Sequence, residues 1–394
     1  MAEDKKNSVR TEGLLLSDNE PKVEFENLSL ADKEEYIDFL MVAYKDQFNR
    51  DKFEKREMVK KFWDWKYLDN PTMVRWKPII WICRFRDKMV GQICVMPIDL
   101  KVGQETYKGG WFQDFIILPL FRNMGIGHSL IQHALKKLNG LIDIVMAAGT
   151  NERSYDLFKK AGFLDMGAIN RSVYPLNFKN ILEKSIDMEL MRPFLHVTIN
   201  AIFKLSHLWN RFHKNENVEV SEAVNFDEGF DSFWLEASKQ STCIATRDKG
   251  MLKWRFIDQP YRRYKILTAE IKGGLRGYAV IREANVKSDN IRFGGLKVGI
   301  ISDIFFDPKE KNIGVSLLNT ALQDFNGRVD LVRCDSLSPV IQRTVRTSGF
   351  INIKSNDRFL IHLLNEGMIN KNGSFLQDRK NWYLTYGDSD IDLY

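Results

Sequence analysis

Apolar and polar positions alternate along this chain with two periods, one of about two residues and one of about 3.6 residues. The first period predicts strands and the second predicts amphipathic helices. In the first half, strands are predicted at 23–28, 78–86, 89–101, 111–118, 141–148 and 163–173, and helices at 31–48, 55–68, 125–138 and 152–161. This order of elements describes one α/β lobe.

A different pattern occupies residues 175–215. Apolar residues recur there at helical spacing, among them Phe194, Ile202 and Leu205, with basic residues between them. An amphipathic helix that lies in a membrane interface has the same pattern. We favour a helical linker packed across two lobes, because a boundary between domains needs apolar surface to cover it.

The second half of the chain repeats the first. Residues 62–71 (FWDWKYLDNP) are echoed by residues 251–260 (MLKWRFIDQP) at an offset of 189, and Asp114 falls on Asp303 at that same offset. A constant offset predicts a tandem duplication. The predicted units are a disordered leader (1–22), an N-terminal lobe (23–174), a helical linker (175–215), a second lobe (216–366) and a C-terminal tail (367–394).

A glycine-containing loop joins the strand that ends near Leu118 to the following helix. Glycines at 125 and 127 let the backbone turn, so that successive N–H groups and the helix N-terminus converge on an anion. Arg122 adds a fixed positive charge beside them. The segment therefore predicts a site for a phosphate or pyrophosphate.

These residues resemble the signature of the GNAT acyltransferase superfamily, in which Arg or Gln precedes two spaced small residues. Arg122, Gly125 and Gly127 match that signature, and a second motif follows at the usual spacing, supplied by Asn151, Ser154, Leu157, Phe158, Gly162 and Phe163. The resemblance implies an α/β (α+β) fold with two tandem GNAT-like lobes. Each lobe would be a mixed, mainly antiparallel sheet flanked by helices.

The resemblance also implies the co-substrate, which is acetyl-CoA or another acyl-CoA. The backbone of Ile116, Ile117 and Leu118 would contact the pantetheine. The pyrophosphate loop would comprise Arg122, Asn123, Met124, Gly125, Ile126, Gly127 and His128, and the second motif would add Asn151, Ser154 and Phe158. An acceptor amine attacks the thioester carbonyl directly in this family, so no covalent enzyme intermediate is expected.

The sequence departs from the family at both proton-transfer positions. Phe158 stands where many members have the Tyr that protonates the thiolate, and Tyr155 is either its substitute or a packed surface aromatic. Gln113-Asp114 replaces Glu-Asp on the motif strand, and strand alternation predicts that the two side chains point to opposite faces. Asp114 could be the base, an anchor for a cationic acceptor, or a structural cap.

The second lobe and the tail also differ from the first lobe. Lys311 replaces the Arg, and Ser316 stands where the second glycine should be, so its Cβ would crowd a phosphate and this lobe would wall the acceptor site instead. The tail combines Trp382, Tyr383 and Tyr386 with three acids. It predicts either a platform for a sugar amine or a segment that docks through its rings while its acids stay solvated.

Composition narrows the classes of function. The chain has 44% hydrophobic and 28% charged residues and a net charge of +6, which fits a globular protein with an anionic ligand and is far from a nucleic-acid footprint. Four separated cysteines suggest neither a metal site nor disulfides, and no apolar stretch predicts a signal peptide or a membrane span. We expect a cytoplasmic enzyme with at most weak peripheral membrane association.

The leading function is N-acylation of a small primary amine, with an amino sugar as one candidate. An acyltransferase for amino acids or peptides, or one that uses a long-chain donor, is the alternative within enzymes. A non-catalytic acyl-CoA sensor is the alternative outside them, because both usual proton-transfer residues are replaced.

Overall fold

The protein is described by a computed structural model, which covers residues 23–44, 56–72, 79–184, 217–286, 294–389 and 392. The predicted leader and most of the predicted linker, residues 185–216, lie outside the described residues, as does the junction between the first two helices. The described residues form two separate sheets flanked by helices. This is the predicted mixed α/β architecture.

The α-helices of the described residues are α1 (Lys33–Ala43), α2 (Arg56–Tyr67), α3 (Ile126–Leu138), α4 (Glu152–Lys160), α5 (Phe178–Lys184), α6 (Glu228–Ala237), α7 (Lys249–Phe256), α8 (Lys311–Phe325), α9 (Pro339–Thr347) and α10 (Glu366–Gln377). The strands are β1 (Glu24–Asn27), β2 (Ile79–Phe85), β3 (Lys88–Val102), β4 (Glu105–Ile117), β5 (Ile144–Ala148), β6 (Leu164–Ala168), β7 (Asn170–Pro175), β8 (Glu219–Ala223), β9 (Cys243–Ala245), β10 (Lys265–Ile271), β11 (Gly274–Asn285), β12 (Lys297–Phe306), β13 (Leu331–Ser336), β14 (Ile351–Ile353), β15 (Arg358–Leu363) and β16 (Trp382–Tyr383).

Both sheets have the same strand order. The first runs β1-β2-β3-β4-β5-β15-β6, and the second runs β8-β10-β11-β12-β13-β7-β14 when read from its matching edge. In each, the fourth and fifth strands are parallel and their other neighbours are antiparallel. The central strand β3 is buried on both faces. Ile93 and Val95 pack under α3 on one face, and Met96 packs against the second half of the chain on the other.

Each sheet contains at least one strand from the other half of the chain, and besides β15 the first sheet includes β9, paired with β3, and β16, paired with β9. β15, from the second half of the chain, lies between β5 and β6, with Phe359 opposite Ala148. β7, from the first half, lies between β13 and β14, with Ser172 opposite Cys334. The predicted lobe ranges, 23–174 and 216–366, therefore do not coincide with the sheets.

The prediction of a single strand at 163–173 is wrong, because the structure has two strands there. Gly167 adopts φ of +93° inside β6, the strand ends at Ala168, and Ile169 separates β6 from β7. The Ile169 N–H then donates to the Asp357 carbonyl, and the chain enters the other sheet. The periodicity of the sequence alone could not reveal this break, because the buried positions of β6 and β7 keep the same two-residue alternation.

A symmetric tryptophan pair joins the two halves. Trp65 on α2 and Trp254 on α7 are 189 residues apart, and their rings stack with centroids 4.9 Å apart. Each indole N–H donates to the other residue's backbone carbonyl, at 2.7 and 2.8 Å. Both rings are buried, so the repeated sequence pattern corresponds to a reciprocal contact.

The C-terminal tail is docked between the halves. Trp382, Tyr383 and Tyr386 are buried, so their faces are not available to stack on a sugar. Two of the three acids are not solvated as the docking interpretation predicted, because Asp388 pairs with buried Arg247 at 2.7 Å and Asp392 pairs with Arg282 at 2.8 Å, while Asp390 lies outside the described residues. Carboxylates that enter an interior need such charged partners.

We predict that Trp254→Ala lowers the free energy of unfolding by about 3–5 kcal/mol, because it removes a large buried ring and leaves the Trp65 backbone carbonyl without the indole N–H that donates to it. Chemical denaturation followed by circular dichroism and by tryptophan fluorescence measures this. Because the sheets share strands, both signals should change in one transition. A loss below about 1 kcal/mol, or separate transitions in the wild type, would contradict this account.

Candidate active site

The motif strand β4 contains a bulge at Asp114. Cys94 on β3 pairs with Gln113 and Gln92 pairs with Ile116, so β4 has one more residue than β3 across this interval. Asp114 absorbs the extra residue with φ of +49°, a conformation that is uncommon outside glycine. The bulge changes which way the following side chains point.

The predicted opposition of Gln113 and Asp114 is wrong because of this bulge. Gln113 lies opposite Cys94, and its Nε2 lies 3.6 Å from the Met96 sulfur on that face of β3. Asp114 faces the same side, where it meets α2. A strict period of two holds only where the ladder has no inserted residue.

Asp114 belongs to a buried cluster. It accepts hydrogen bonds from the Lys66 ammonium at 2.8 Å and from the Tyr67 hydroxyl, and the Lys66 side chain is fully buried. Burial, and then the negative charge of Asp114, raise the pKa of Tyr67 well above its ordinary value. Burial and the same charge raise the pKa of Cys94 to about 12. The cluster therefore pairs the Lys66 cation with the Asp114 carboxylate.

Sequence reasoning missed Lys66 and Tyr67 as members of the site. Lys66 lies in the repeated segment at 62–71, where a basic residue recurs as Arg255, and this was its only sequence signal. The pattern showed that a cation was repeated, but it could not show that the Lys66 side chain reaches across to β4.

A cleft opens between β4 and β5. The two strands pair in parallel only over Gly109–Trp111 and Ile144–Met146, and β4 then continues to Ile117 without β5 beside it. Ile116, Ile117 and Leu118 lie on this diverging part, while the Leu118 N–H still donates to the Val90 carbonyl on β3. The backbone of 112–117 is thus bordered by a partner strand on one side and by the cleft on the other.

Two helix N-termini point at this cleft. Because β4 and β5 are parallel, their C-terminal ends share one sheet edge, and α3 and α4 begin just beyond them. Helix N-termini carry partial positive charge and N–H groups that lack an intrahelical acceptor. This edge of the sheet is therefore suited to an anion.

The loop before α3 has the geometry of an anion site. Asn123 and Gly125 adopt φ of +64° and +78°, and residues 122–125 are exposed. A Cβ at Gly125 would meet no atom within 4 Å, so the space above the loop is open. The Arg122 Nε donates to the Ile117 carbonyl at 2.8 Å, which holds this cation beside the end of β4.

The other predicted loop residues have different environments. Met124 is exposed, and Ile126 is buried in the core, so it can offer only backbone to a ligand. A Cβ at Gly127 would lie 3.2 Å from both Leu157 and Phe115, so this glycine serves the close packing of α3. His128 is half-buried, and its Nδ1 is buried without a hydrogen bond among the described residues.

The second motif builds the start of α4. Asn151 caps the helix, since its side-chain oxygen accepts from the Ser154 N–H at 2.9 Å. Phe158 is buried, with its ring near those of Phe112, Phe115 and Phe163. The contacts of Asn151 and Phe158 are thus structural, and the roles of Asn151, Ser154 and Phe158 in cofactor binding stay predictions.

Tyr155 is committed to another strand. Its hydroxyl donates to Asp165 on β6 at 2.8 Å, and this bond is the first cause of its raised pKa. Asp165 also pairs with Arg358 of β15. Its role as substitute acid stays a prediction, but a raised pKa makes it a weaker acid.

The second sheet lacks the anion loop. α8 begins at Lys311, four residues before position 315, which matches the start of α3 at the 189-residue offset. Gly314 lies inside this helix, where a Cβ would lie 2.5 Å from the Phe306 ring. Ser316 is also helical, as its counterpart Gly127 is in α3, and crowding of a phosphate by its Cβ stays a prediction. The longer helix leaves no loop to hold an anion.

The tail fills the corresponding cleft of the second sheet. β12 and β13 pair as far as Ile301 and Cys334, after which Thr385 forms a bridge with Ser336. Tyr383 donates to the Ile304 carbonyl at 2.6 Å on the other side. This cleft is therefore closed by the chain itself.

Three further observations describe the rest of the structure. Cys83, Cys94, Cys243 and Cys334 are all buried free thiols. Among the described residues no helix is long and apolar enough to cross a membrane. The same residues contain no group of three or more metal-binding side chains.

Comparison with known proteins agrees with this geometry. A sequence model of the acetyltransferase (GNAT) family matches residues 37–163. No curated protein sequence matches the chain.

Several solved structures share the fold over most of the chain. A GCN5-related N-acetyltransferase from Anabaena variabilis ATCC 29413 is 14% identical, with a TM-score of 0.59 over 87% of this chain and 73% of its own. A probable N-acyltransferase from Enterococcus faecalis V583 is 11% identical, with a TM-score of 0.58 over 88% and 74%. Saccharomyces cerevisiae N-myristoyltransferase with bound myristoyl-CoA is 12% identical, with a TM-score of 0.53 over 92% and 87%. The family model thus matches residues 37–163, and over most of its length the chain shares the fold of these solved structures.

Proposed function

We propose that this protein is an acyl-CoA-dependent N-acyltransferase that moves an acyl group, most simply acetyl, onto a primary amine of a small acceptor. The observation that carries the proposal is the juxtaposition at one sheet edge of the β4 bulge, the cleft beside it and the open loop before α3. A fold match alone would not support a reaction, since one fold hosts many functions.

The residues divide the work of binding. The N–H groups of the loop 123–128, with Arg122, hold the pyrophosphate. The backbone of Ile116 to Leu118 holds the pantetheine as an added strand, which places the thioester near the bulge. Backbone N–H groups turned by the bulge then stabilise the oxyanion.

The transfer itself needs one bond formed and one broken. The amine nitrogen attacks the thioester carbonyl, the C–N bond forms, the C–S bond breaks, and CoA leaves as thiolate. The ammonium proton passes to a base, and the thiolate takes a proton from water or from an acid of the protein. Holding both reactants in this geometry supplies much of the acceleration.

We assign Asp114 to the handling of the acceptor amine. Its carboxylate lies at the bulge, but the Lys66 ammonium at 2.8 Å already neutralises it. Because Asp114 is already paired, it is better suited to orient the acceptor amine by a hydrogen bond, or to relay the amine proton through water, than to abstract that proton directly. A sensor that binds acyl-CoA without turnover is the second candidate, because of this neutralised Asp114 and of Phe158 in place of a tyrosine.

The acceptor class is narrowed by the docked tail. Burial of Trp382, Tyr383 and Tyr386 removes the aromatic platform that favoured a sugar amine. Small amines, amino acids and peptide N-termini remain, and a sugar amine would need other contacts.

We also propose a cytoplasmic location, since the four buried cysteines are all free thiols. A tandem duplication is our explanation for the two matching strand orders.

We predict that Gly125→Asn weakens CoA binding at least tenfold. Asn tolerates a left-handed conformation, so the loop should keep its shape while the new side chain enters the space of the phosphates. Gly140→Asn is the matched control, because its φ is +79° and a Cβ there also meets no atom within 4 Å. Calorimetry on both variants measures the effect, and wild-type affinity in Gly125→Asn would remove the loop from the site.

We predict one CoA per chain. The second sheet has neither the loop nor an open cleft, because α8 starts early and the tail lies between β12 and β13. Titration calorimetry should give a stoichiometry of one in the wild type. Two equivalent sites would contradict the closed second cleft.

We predict that Asp114→Asn lowers turnover by about 10²-fold or more while CoA affinity changes little. The assay is acceptor-dependent thiol release over a panel of amines and across pH. Asp303→Asn is the control, since this residue is the counterpart at the same offset and also pairs with a buried cation, Arg247. We expect Asp303→Asn to destabilise the protein about as much as Asp114→Asn does, but to leave turnover intact.

The two Asp variants separate chemistry from folding. Equal loss of turnover in both would attribute the effect to stability, and wild-type turnover in Asp114→Asn would exclude Asp114 from the mechanism. A lower rate with an unchanged pH profile would indicate an orienting role, because loss of a base changes the shape of the profile.

A further inference from the structure

The cleft beside β4 ends at a vertex where its pairing with β5 begins. Trp111 and Met146 form the last pair of the ladder, and the strands separate from Phe112 onwards. An acyl group carried into the cleft by its thioester would point toward this vertex or past one face of β4. The side chains at the vertex therefore decide how much room the acyl group has.

One face of the vertex is closed by four phenylalanines, which we call the phenylalanine cluster: Phe112, Phe115, Phe158 and Phe163. Phe158 of α4 lies 5.0–5.9 Å, centroid to centroid, from each of the other three rings. Phe112, Phe158 and Phe163 are buried. Phe158 is thus the centre of the cluster and spans the two sides of the bulge, since Phe112 precedes Asp114 and Phe115 follows it.

The other face is closed by aromatic side chains that come largely from the second half of the chain. Trp111 lies 5.9 Å from Phe359 of the exchanged strand β15, and Phe359 lies 4.9 Å from Trp382 of the tail. All three are at most 2% exposed. The exchanged strand and the tail thus complete the floor of the cleft that the first sheet leaves open.

We propose that the donor is a short-chain acyl-CoA, of about two to four acyl carbons, and that Phe158 sets this limit. The inference rests on the proposed function and deepens it. Packed interiors contain few voids larger than a water molecule, so a longer chain could enter only by displacing buried rings. Similarity in fold to a myristoyl-CoA-binding enzyme does not fix chain length, because the residues at the vertex do.

The test compares the binding of CoA, acetyl-CoA, butyryl-CoA and octanoyl-CoA, which needs no knowledge of the acceptor. In the wild type, acetyl-CoA should bind at least tenfold more tightly than octanoyl-CoA. Phe158→Ala removes the central ring and should shift the octanoyl-to-acetyl affinity ratio at least tenfold toward octanoyl. Phe230→Ala, in the aromatic cluster of the second half with Phe226 and Tyr278, is the control and should leave the ratio unchanged.

Circular dichroism checks that each variant is folded, and Phe158→Leu, which removes less volume, should shift the ratio in the same direction if the Ala variant unfolds. Octanoyl-CoA that binds the wild type as tightly as acetyl-CoA would overturn the short-chain limit. An unchanged ratio in folded Phe158→Ala or Phe158→Leu would overturn the assignment to Phe158. No binding of CoA itself would instead overturn the proposed function, and the limit with it.

Discussion

The inserted residue in β4 is the constraint on which the rest of the site depends. Asp114 takes φ of +49°, and this single turn puts Gln113 and Asp114 on one face of the sheet. The ion pair with Lys66 holds the strained residue in place, because separating the pair would leave a charge buried alone. The strained backbone of Asp114, its buried charge and the changed direction of the side chains on β4 thus arise at one residue, where the cleft opens.

The two sheets show how one strand order can serve two purposes. They differ mainly before the helix that follows the fourth strand, where one has an exposed loop with two left-handed residues and the other has helix from Lys311. The second cleft is filled by the tail, held through buried pairs such as Arg247 with Asp388. The cleft that we propose as the ligand site in the first sheet thus corresponds, in the second sheet, to the cleft in which the tail packs.

The sequence predicted what depends on local pattern. Most strands and helices and the glycine loop could be predicted from short stretches of sequence. Comparison of two such stretches gave the 189-residue offset, which indicated that Trp65 and Trp254 are equivalent. Three predictions were wrong because they needed long-range information. Alternation fails at Asp114 where one strand gains a residue, residues 163–173 divide between two sheets at Ile169, and two of the tail acids pair with arginines more than a hundred positions away.

The exchange of strands has a consequence for the order in which the protein is made. In the first sheet β15 pairs with both β5 and β6, so these two strands lack the strand between them until the ribosome has synthesised residue 363. Until then the edges of β5 and β6 present unpaired backbone groups, which are templates for wrong pairing with other chains. Nascent chains that stall before this point should therefore depend on chaperones far more than full-length chains do.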